Sequence, residues 1–350
     1  MKTITVSASK TYNVHIGSGL LPQLGGQLSA IHKSCKAAII SDSNVWPLHG
    51  KTAEESLVCA GFEVIHFVFP AGEASKNFDT YLEILNFLAE NKVTRSDVII
   101  ALGGGVVGDI TGFAAATYLR GIAYVQVPTS LLAMVDSSVG GKTAIDLPAG
   151  KNLVGAFCQP IIVLCDMDTL STLPADIFQD GCAEVIKYGV LYDTKLFSHL
   201  MEKGLAFDRE DVIARCVELK RNVVMEDEFD TGARQKLNLG HTIGHGIEAR
   251  SDFTITHGQA VAMGMHIVSK AGTAFEFCEA QVRQEIRTIL EKFGLPYKTE
   301  FTAQELYTCA LSDKKRTGGM VNLIIPKAIG DCAIVPTPVE KLQSFIEAGL

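Results

Sequence analysis

The chain has 350 residues, 47% of them hydrophobic and 20% charged, so it can bury a sizeable core, while its net charge of −8 argues against a nucleic-acid partner. Its nine cysteines are scattered without a C-x-x-C pair, which argues against a disulfide framework or a cysteine zinc site and predicts a reducing cytoplasm. Neither a hydrophobic signal region nor an apolar run near the ~20 residues that span a membrane is found in the sequence.

The first half of the chain predicts an α/β domain in which strands and helices alternate around a parallel, doubly wound sheet. Strand-like segments occur at residues 4–7, 13–16, 37–40, 62–69, 97–102, 122–127 and 161–165, with a helix at 78–91. After Asp168 helical periodicity dominates to about Phe293, and a hairpin of 321–325 and 332–335 follows. We therefore predict two tightly packed domains, 1–170 and 171–350, with a cleft between them.

A glycine-rich turn joins the predicted strand at 97–102 to the next helix. Gly103, Gly105 and Gly108 satisfy G-x-G-x-x-G, in which bare backbone N–H groups can approach a diphosphate at the helix start. The acidic residue that normally follows about 20 positions later is missing, so a tight turn without a ligand is the alternative. A second glycine turn, which ends in Lys142, favours phosphate binding.

Charged side chains that follow the predicted strands have two interpretations each. Asp42 follows the strand at 37–40, where it could meet a ribose or cap the next helix, which is the commoner use. Glu73 and Lys76 lie in the loop after the strand at 62–69, at the sheet edge where α/β proteins bind ligands. Taken as isolated residues, Glu73 and Lys76 are interpreted as solvated loop charges.

A possible metal site combines Glu184 with His241 and His257. Two imidazoles and one carboxylate are a normal catalytic zinc set that leaves one coordination position open. Glu184 lies on a predicted helix, and each histidine lies near a predicted helix start. The spacings are too long to be diagnostic, so a His241–His245 pair on one helical face is a rival set. Helix histidines without a metal are the third interpretation.

Several cations lie in otherwise apolar or glycine-rich surroundings, where Lys and Arg are rare unless they are paired. Each alone is compatible with a surface charge, but convergence on one pocket would indicate a substrate with more than one anionic group. Lys187 falls on nearly the same helical face as Glu184, and arginine can bind phosphate or carboxylate with two parallel hydrogen bonds. The cations are Arg120, Lys142, Lys151, Lys187, Lys220, Arg234, Lys314 and Lys315.

Taken in order, the motifs of this chain resemble the 3-dehydroquinate synthase family of the shikimate pathway over nearly the whole length. The motifs are PAGEASKN, GGGVVGD, AATYLRGI, VPTSLLAMVDSSVGGKTAID, GKNLVGAFCQP, DTLSTLP, GCAEVIKYG, VELKRNVVMEDE, LNLGHTIGHGIE, HGQAVAMGM and DKKRTGG. The resemblance implies an N-terminal Rossmann-like NAD-binding domain and a C-terminal, mainly helical, metal-binding domain. It also implies an active site between the domains and a homodimer.

The resemblance assigns a role to most of these residues. It implies one zinc or cobalt ion bound by Glu184, His241 and His257. It implies NAD binding by Asp42, Glu73, Lys76, Gly104, Gly105, Val106, Asp109, Thr129, Ser130, Lys142, Lys151, Thr169, Leu170, Ser171 and Thr172. It implies substrate binding by Asn152, Lys220, Arg234, Asn238, one of Lys314 and Lys315, and the catalytic residues Asp136, Lys142, Lys187 and His245. Arg120 would reach the substrate phosphate in the neighbouring subunit.

The implied reaction converts 3-deoxy-D-arabino-heptulosonate 7-phosphate to 3-dehydroquinate and phosphate. It combines transient oxidation by NAD, β-elimination of phosphate, re-reduction and intramolecular aldol closure. Two small departures from the family pattern are visible: Ser130 replaces a usual Thr, and Ala144-Ile145-Asp146 replaces a usual Gly-Val-Asn. Rival functions are a deoxy-inosose or valiolone synthase, an NAD alcohol dehydrogenase of related fold, and a catalytically silent NAD-binding module.

Overall fold

The computed structural model describes residues 1–252, 254–314 and 319–350, without the side chains of residues 311–314. Two compact units are formed, one by Met1–Pro174 with Arg209–Phe229 and the other by Ala175–Asp208 with Asp230–Leu350. The domain limits 1–170 and 171–350 stay a prediction, because compact units are not necessarily independently folding domains. The compact units differ from them chiefly at residues 209–229, which join the first unit.

The described strands and helices alternate through the first half of the chain and are mainly helices in the second. The strands are β1 (Lys2–Ser7), β2 (Thr11–Gly17), β3 (Lys36–Asp42), β4 (Glu63–Phe69), β5 (Val98–Gly103), β6 (Ala123–Pro128), β7 (Lys142–Leu147), β8 (Gly150–Phe157), β9 (Ile162–Asp166), β10 (Met320–Ala328) and β11 (Asp331–Pro338). The helices are α1 (Leu24–Ser29), α2 (Lys51–Cys59), α3 (Phe78–Glu90), α4 (Gly105–Thr117), α5 (Ala175–Tyr192), α6 (Thr194–Lys203), α7 (Arg209–Glu226), α8 (His241–Arg250), α9 (His257–Ala274), α10 (Ala280–Lys292), α11 (Ala303–Lys314) and α12 (Val339–Gly349).

The first unit is organised around a seven-stranded sheet in the order β1-β2-β9-β6-β5-β3-β4. β1 and β2 pair antiparallel, and the other neighbouring strands pair parallel. Ile40 and Ile99 pack with Ile84 of α3 in one core cluster, whereas Ile39 and Ile100 belong to a second cluster with α1 and α2. Because both faces are covered, the parallel strands are continuous apolar runs. The predicted parallel α/β sheet is confirmed.

Ligand-binding residues are expected at one edge of this sheet, where the parallel strands end. β3 ends at Asp42, β5 at Gly103, β6 at Pro128 and β9 at Asp166. Parallel pairing brings these four ends to the same edge. The loops that carry the predicted cofactor residues therefore start from a common edge of the sheet.

A two-stranded hairpin of β7 and β8 follows the second glycine turn, where the sequence predicts no strand. Lys142 pairs with Phe157 at the open end of this hairpin. β8 is exposed or half-buried along its whole length, so it lacks the apolar run that marks the other strands. The hairpin places Lys142 and Lys151 on strands, whereas Asn152, with φ +55°, lies on irregular backbone near the start of β8.

The second unit is a helical assembly around α9, together with the predicted hairpin, which is confirmed as β10–β11. Helix α9 packs against α5, α8, α10 and α12, and every residue from Ala260 to Ser269 is buried. Among the described residues, no helix combines the length and the apolar character that crossing a bilayer requires. The buried central helix matters for the site because its first residue is His257.

Candidate functional site

In the first unit, the glycine turn after β5 presents bare backbone at the start of α4. Gly104 caps the helix in an extended conformation, and Gly105 is its first residue. A Cβ atom at Gly104 would lie 3.5 Å from Ser130 Oγ, and one at Gly105 would lie 3.3 Å from Ser137 Oγ. Side chains at these positions would fill the space in front of the helix N-terminus, where a diphosphate can be bound. The turn therefore fits the diphosphate of a dinucleotide.

Beside this turn, Lys76 is held between two oxygen acceptors. Its Nζ lies 2.6 Å from Asp109 Oδ2 and 2.6 Å from Asn152 Oδ1. Burial alone would lower the pKa of Lys76, but the neighbouring carboxylates of Asp109 and Glu73 raise it. Burial raises the pKa of Asp109, and the charge of Lys76 opposes that rise. The ion pair and the hydrogen bond from Lys76 to Asn152 hold the three side chains together.

Two further ion pairs of the first unit join predicted site residues. Lys151 Nζ lies 3.0 Å from Glu73 Oε1, and Lys220 Nζ lies 2.7 Å from Asp136 Oδ1. Lys220 is only 5% exposed because α7 packs against the segment that carries Asp136. One ion pair thus joins two predicted cofactor residues, and the other joins a predicted substrate residue to a predicted catalytic residue.

Asp42 and the turn after β9 are built mainly by local hydrogen bonds. Asp42 Oδ1 accepts from the backbone N–H groups of Asn44 and Val45, each at 2.9 Å, so it closes the turn after β3, while neither the π-helix Trp46–Gly50 nor α2 has a side-chain cap. The predicted residues Thr169, Leu170, Ser171 and Thr172 lie in or directly after a short 3₁₀ helix, Met167–Ser171. Binding of a ribose at Asp42 stays a prediction.

Three predicted residues of this unit are distinguished by exposure or backbone conformation. Lys142 is exposed at the first residue of β7, and Thr129 is buried, with its N–H donating to Gly103 O at 3.0 Å. Arg120 is exposed with φ +67°, between Leu119 at +51° and Gly121 at +114°. A run of positive φ values costs energy at non-glycine residues, and strained turns of this kind are concentrated at functional sites.

In the second unit, three helices bring Glu184, His241 and His257 together. Glu184 is fully buried in the middle of α5, and its Oε1 lies 3.5 Å from Nε2 of each histidine. The ligand atoms of the three residues all lie within 4.8 Å of one another. Residues far apart in the sequence therefore form one compact set of nitrogen and oxygen donors.

Helix starts place the two histidines. His241 opens α8 after Gly240, which has φ +79° and closely approaches the Val261 carbonyl oxygen of α9. Only glycine adopts that conformation without strain, and a Cβ there would lie 2.6 Å from that oxygen. His257 opens α9 after Thr256, which forms a capping box with Gln259. These local features fix the positions of His241 and His257 as the first residues of α8 and α9.

The surroundings of the cluster shift the pKa values of its two histidines in opposite directions. Burial and the cation of Lys187 lower the pKa of His241 to about 3. Burial would lower the pKa of His257 as well, but hydrogen bonds to Glu184 and Glu248 raise it to about 10. Lys187, 1% exposed, pairs with Glu184 one turn along α5, as its sequence spacing predicts. Glu184 and Glu248 thus stabilise a positive charge at the position of His257.

The donor set fits a divalent transition metal. Two imidazole nitrogens and one carboxylate oxygen match a three-ligand catalytic zinc site with an open fourth position. The described residues also form a second group, His245, Glu248 and His257, with ligand atoms within 4.8 Å of one another. Glu184 belongs only to the first group, while His241 and His245 face each other at 5.4 Å between ring centroids. The first group contains all three residues that the family resemblance implies.

The remaining predicted residues of the second unit lie on or near these helices. Arg234 is 1% exposed in a 3₁₀ helix, Ala233–Asn238, that ends in the half-buried Asn238. His245 is half-buried one turn into α8. Lys314 ends α11 with only its backbone described, and Lys315 lies outside the described residues.

The sequence interpretation did not include two carboxylates, one that contacts the cluster and one that binds the start of α9. Glu248 Oε2 lies 3.2 Å from His257 Nδ1, and Asp180 Oδ1 accepts the N–H of Gln259 at 2.9 Å. Glu248 could have been found from its spacing, since it follows His241 by seven residues and His245 by three on one helical face. Asp180 has a similar signal, since it precedes Glu184 by four residues on one helical face, but the sequence does not show its contact with Gln259.

Comparison with known proteins gives one family. The family models "3-dehydroquinate synthase N-terminal" and "3-dehydroquinate synthase C-terminal" match residues 66–180 and 181–316. A 3-dehydroquinate synthase of Streptococcus suis is 45% identical over 98% of this chain and 99% of its own length.

Solved structures of sugar-phosphate cyclases have the same fold. A 2-deoxy-scyllo-inosose synthase complexed with carbaglucose-6-phosphate, NAD⁺ and Co²⁺ has a TM-score of 0.89 at 25% identity, over 100% of both chains. A 2-epi-5-epi-valiolone synthase from Streptomyces hygroscopicus with NAD⁺ and Zn²⁺ bound has a TM-score of 0.89 at 25% identity, over 99% of this chain and 97% of its own.

Proposed function

Because the chain belongs to the 3-dehydroquinate synthase family, we propose that it converts 3-deoxy-D-arabino-heptulosonate 7-phosphate to 3-dehydroquinate and phosphate. The structural observation that carries the proposal is the compact donor set of Glu184, His241 and His257, with the cation of Lys187 beside it. A silent NAD-binding module would have no use for such a set.

We propose that Glu184, His241 and His257 bind one zinc or cobalt ion. When bound, such an ion acts as a Lewis acid that lowers the pKa of a coordinated substrate hydroxyl. Lys187 neutralises part of the charge of Glu184 and is available to orient a neighbouring hydroxyl of the substrate. His241 is held by its other ring nitrogen, Nδ1, which lies 3.1 Å from Leu239 O. That contact supports a neutral imidazole whose Nε2 faces the ion.

We propose that the first unit binds NAD at the sheet edge. Bare backbone at Gly104 and Gly105 would receive the diphosphate, and the loops after β3, β4, β6 and β9 would contact the rest. The chemistry that bound NAD supplies is acceptance and return of one hydride in each turnover. Lys76, fixed by Asp109 and Asn152, would keep a positive charge near the cofactor. The predicted contacts of Asp42, Glu73, Val106, Ser130, Lys151 and residues 169–172 belong to the same proposal.

The substrate residues are proposed for each unit by itself. In the first unit, Lys142 and Asn152 would bind phosphate, Lys220 the carboxylate, and Asp136 a ring hydroxyl. In the second unit, buried Arg234 would bind the carboxylate with two parallel hydrogen bonds. Asn238, His245 and one of Lys314 and Lys315 would bind phosphate. Positioning and fixed cations directed at developing negative charge are the main contributions expected from these residues.

A homodimer in the cytoplasm completes the proposal, with Arg120 reaching the substrate phosphate of the neighbouring subunit. The strained turn at Leu119–Gly121 and the exposure of Arg120 support this role. Mixing an Arg120→Ala chain with a His257→Ala chain tests it. In a mixed dimer one site has neither defect, so activity should return, and failure to recover any activity would contradict the shared site.

The main test measures phosphate release from the heptulosonate phosphate, with NAD⁺ well below the substrate concentration, before and after chelation. We expect many turnovers per NAD⁺, no net NADH, and a loss on chelation that added zinc or cobalt reverses. Stoichiometric NADH from simple alcohols without phosphate would indicate a dehydrogenase. Release from a substrate that lacks the carboxylate, with none from the heptulosonate phosphate, would indicate another sugar-phosphate cyclase.

A further inference from the structure

His257 lies between two carboxylates that contact opposite ends of its ring. Its Nε2 is 3.5 Å from Glu184 Oε1, and its Nδ1 is 3.2 Å from Glu248 Oε2. If Nε2 of the neutral ring binds a metal ion, Nδ1 carries the proton and acts as a hydrogen-bond donor. Glu248, 2% exposed, is the acceptor at that distance. The contact therefore fixes both the tautomer and the rotation of the ring.

The position of Glu248 follows from helix geometry. His241, His245 and Glu248 occupy one face of α8, at spacings of four and three residues. Helix α8 packs directly against α9, whose first residue is His257. A rigid buried helix therefore carries one proposed ligand, His241, and the acceptor for the other ligand, His257. Such a rigid arrangement suits an acceptor that must hold its direction before the ion arrives.

The backbone of His257 is held from α5 by a second carboxylate. Asp180 lies one turn before Glu184, and its Oδ1 accepts the N–H of Gln259 at 2.9 Å and the hydroxyl of Thr256. Between them, Gly258 lies so close to α5 that a Cβ would stand 2.0 Å from the Asp180 carbonyl oxygen. One turn of α5 therefore carries Glu184, a proposed metal ligand, and Asp180, which binds the start of α9, the helix that begins with the proposed ligand His257.

On the basis of the proposed metal site, we propose that Glu248 and Asp180 are positioning residues for His257, Glu248 for the ring and Asp180 for the backbone. Neither would touch the ion. An acceptor for the second nitrogen of a ligand histidine raises its basicity and orients it, and losing such a partner typically weakens metal binding by roughly 10–100-fold. The contacts of Asp180 with Thr256 and Gln259 fix the backbone position from which the His257 side chain extends.

The test is the zinc dissociation constant of the full-length chain, measured by competition with a chromophoric chelator. We expect Glu248→Ala to weaken zinc binding by roughly 10–100-fold. Glu248→Gln should weaken it less, because its amide oxygen still accepts from Nδ1 but lacks the charge. Asp180→Ala should also weaken binding, and Asp180→Asn, which keeps the acceptor, should restore most of it. Asp176→Asn is the matched control, since Asp176 is exposed on the same helix α5.

Nitrogen-detected NMR of the histidines in the zinc-loaded chain separates positioning from a general loss of stability. We expect the Nδ1–H signal of His257 in the wild type to shift in Glu248→Gln and to stay in Asp176→Asn. If both Glu248 variants bind zinc as the wild type does, the inference is overturned while the metal site stands. If Asp180→Ala binds as the wild type does, its backbone part is overturned. A wild type that binds no zinc would overturn the metal site itself, and this inference with it.

Discussion

The polar clusters of the two units differ in how their charge is balanced. In the first unit, each of three predicted site lysines lies within 3.0 Å of a carboxylate: Lys76 with Asp109, Lys151 with Glu73, and Lys220 with Asp136. In the second unit, Glu184 and Glu248 lie among three imidazoles whose ring centroids are 5.2–6.2 Å apart. The first arrangement is complete without a further cation. The second concentrates donors that a divalent cation would hold together.

This difference predicts different failures. Removing a side chain from a balanced ion pair leaves a buried charge, which costs folding stability. Removing a donor from the histidine cluster leaves an incomplete ligand set, which costs metal binding and turnover while the helices still pack. Substitutions in the two regions should therefore be separable by their measurements.

The largest effect is expected from His257→Ala, which removes one proposed ligand. A catalytic metal supplies several kcal/mol of charge stabilisation, so kcat/KM for phosphate release should fall by at least about 10³-fold. Zinc content after dialysis should fall with it.

His32→Ala is the control, since the His32 ring lies in the turn after α1, with Nδ1 2.9 Å from Lys33 O and 3.7 Å from Cys35 Sγ. It should keep wild-type zinc content and activity. Retention of both zinc and activity by His257→Ala would contradict the metal site and favour the rival set with His245.

The next largest effect concerns stability. Lys76→Met leaves Asp109 buried without its cation, and breaking a buried pair from one side should cost about 3 kcal/mol of the free energy of unfolding. The pKa of Asp109, which burial already raises, should rise further. A group with a raised folded-state pKa binds its proton more readily when folded, so the loss should shrink as pH falls. Urea unfolding at several pH values measures both effects.

Lys51→Met is the control for that series, because the Lys51–Glu55 pair is largely exposed and should contribute almost nothing. An equal loss in both variants would show that the Lys76 pair is energetically ordinary. A loss for Lys76→Met that grows as pH falls would contradict the assigned cause.

The two regions were also predictable to different degrees. The strands of the sheet and the turn after β5 follow from contiguous apolar runs and glycine spacing, so the sequence sufficed. The β7–β8 hairpin was missed because β8 buries too little to show a pattern. Spacing alone leaves the histidine set open against His245, because it cannot show that α5, α8 and α9 converge. Glu248 and Asp180 lie at helical spacing from the predicted ligands, but only the packed helices show which groups they contact.

The smallest effect should come from Gly105→Ala, and it separates ligand binding from folding within the first unit. The three atoms nearest to the added Cβ would be Ser137 Oγ at 3.3 Å and side-chain carbons of Leu132 and Ser137 beyond it. The unfolding free energy should therefore change by less than about 1 kcal/mol. It would occupy the space before the helix N-terminus, so NAD⁺ affinity should fall by about tenfold, or ~1.4 kcal/mol. Gly26→Ala on α1, where a Cβ meets nothing within 4 Å, should leave affinity unchanged. Calorimetric titration with NAD⁺ distinguishes the two, and equal affinity in both variants would move the diphosphate away from this turn.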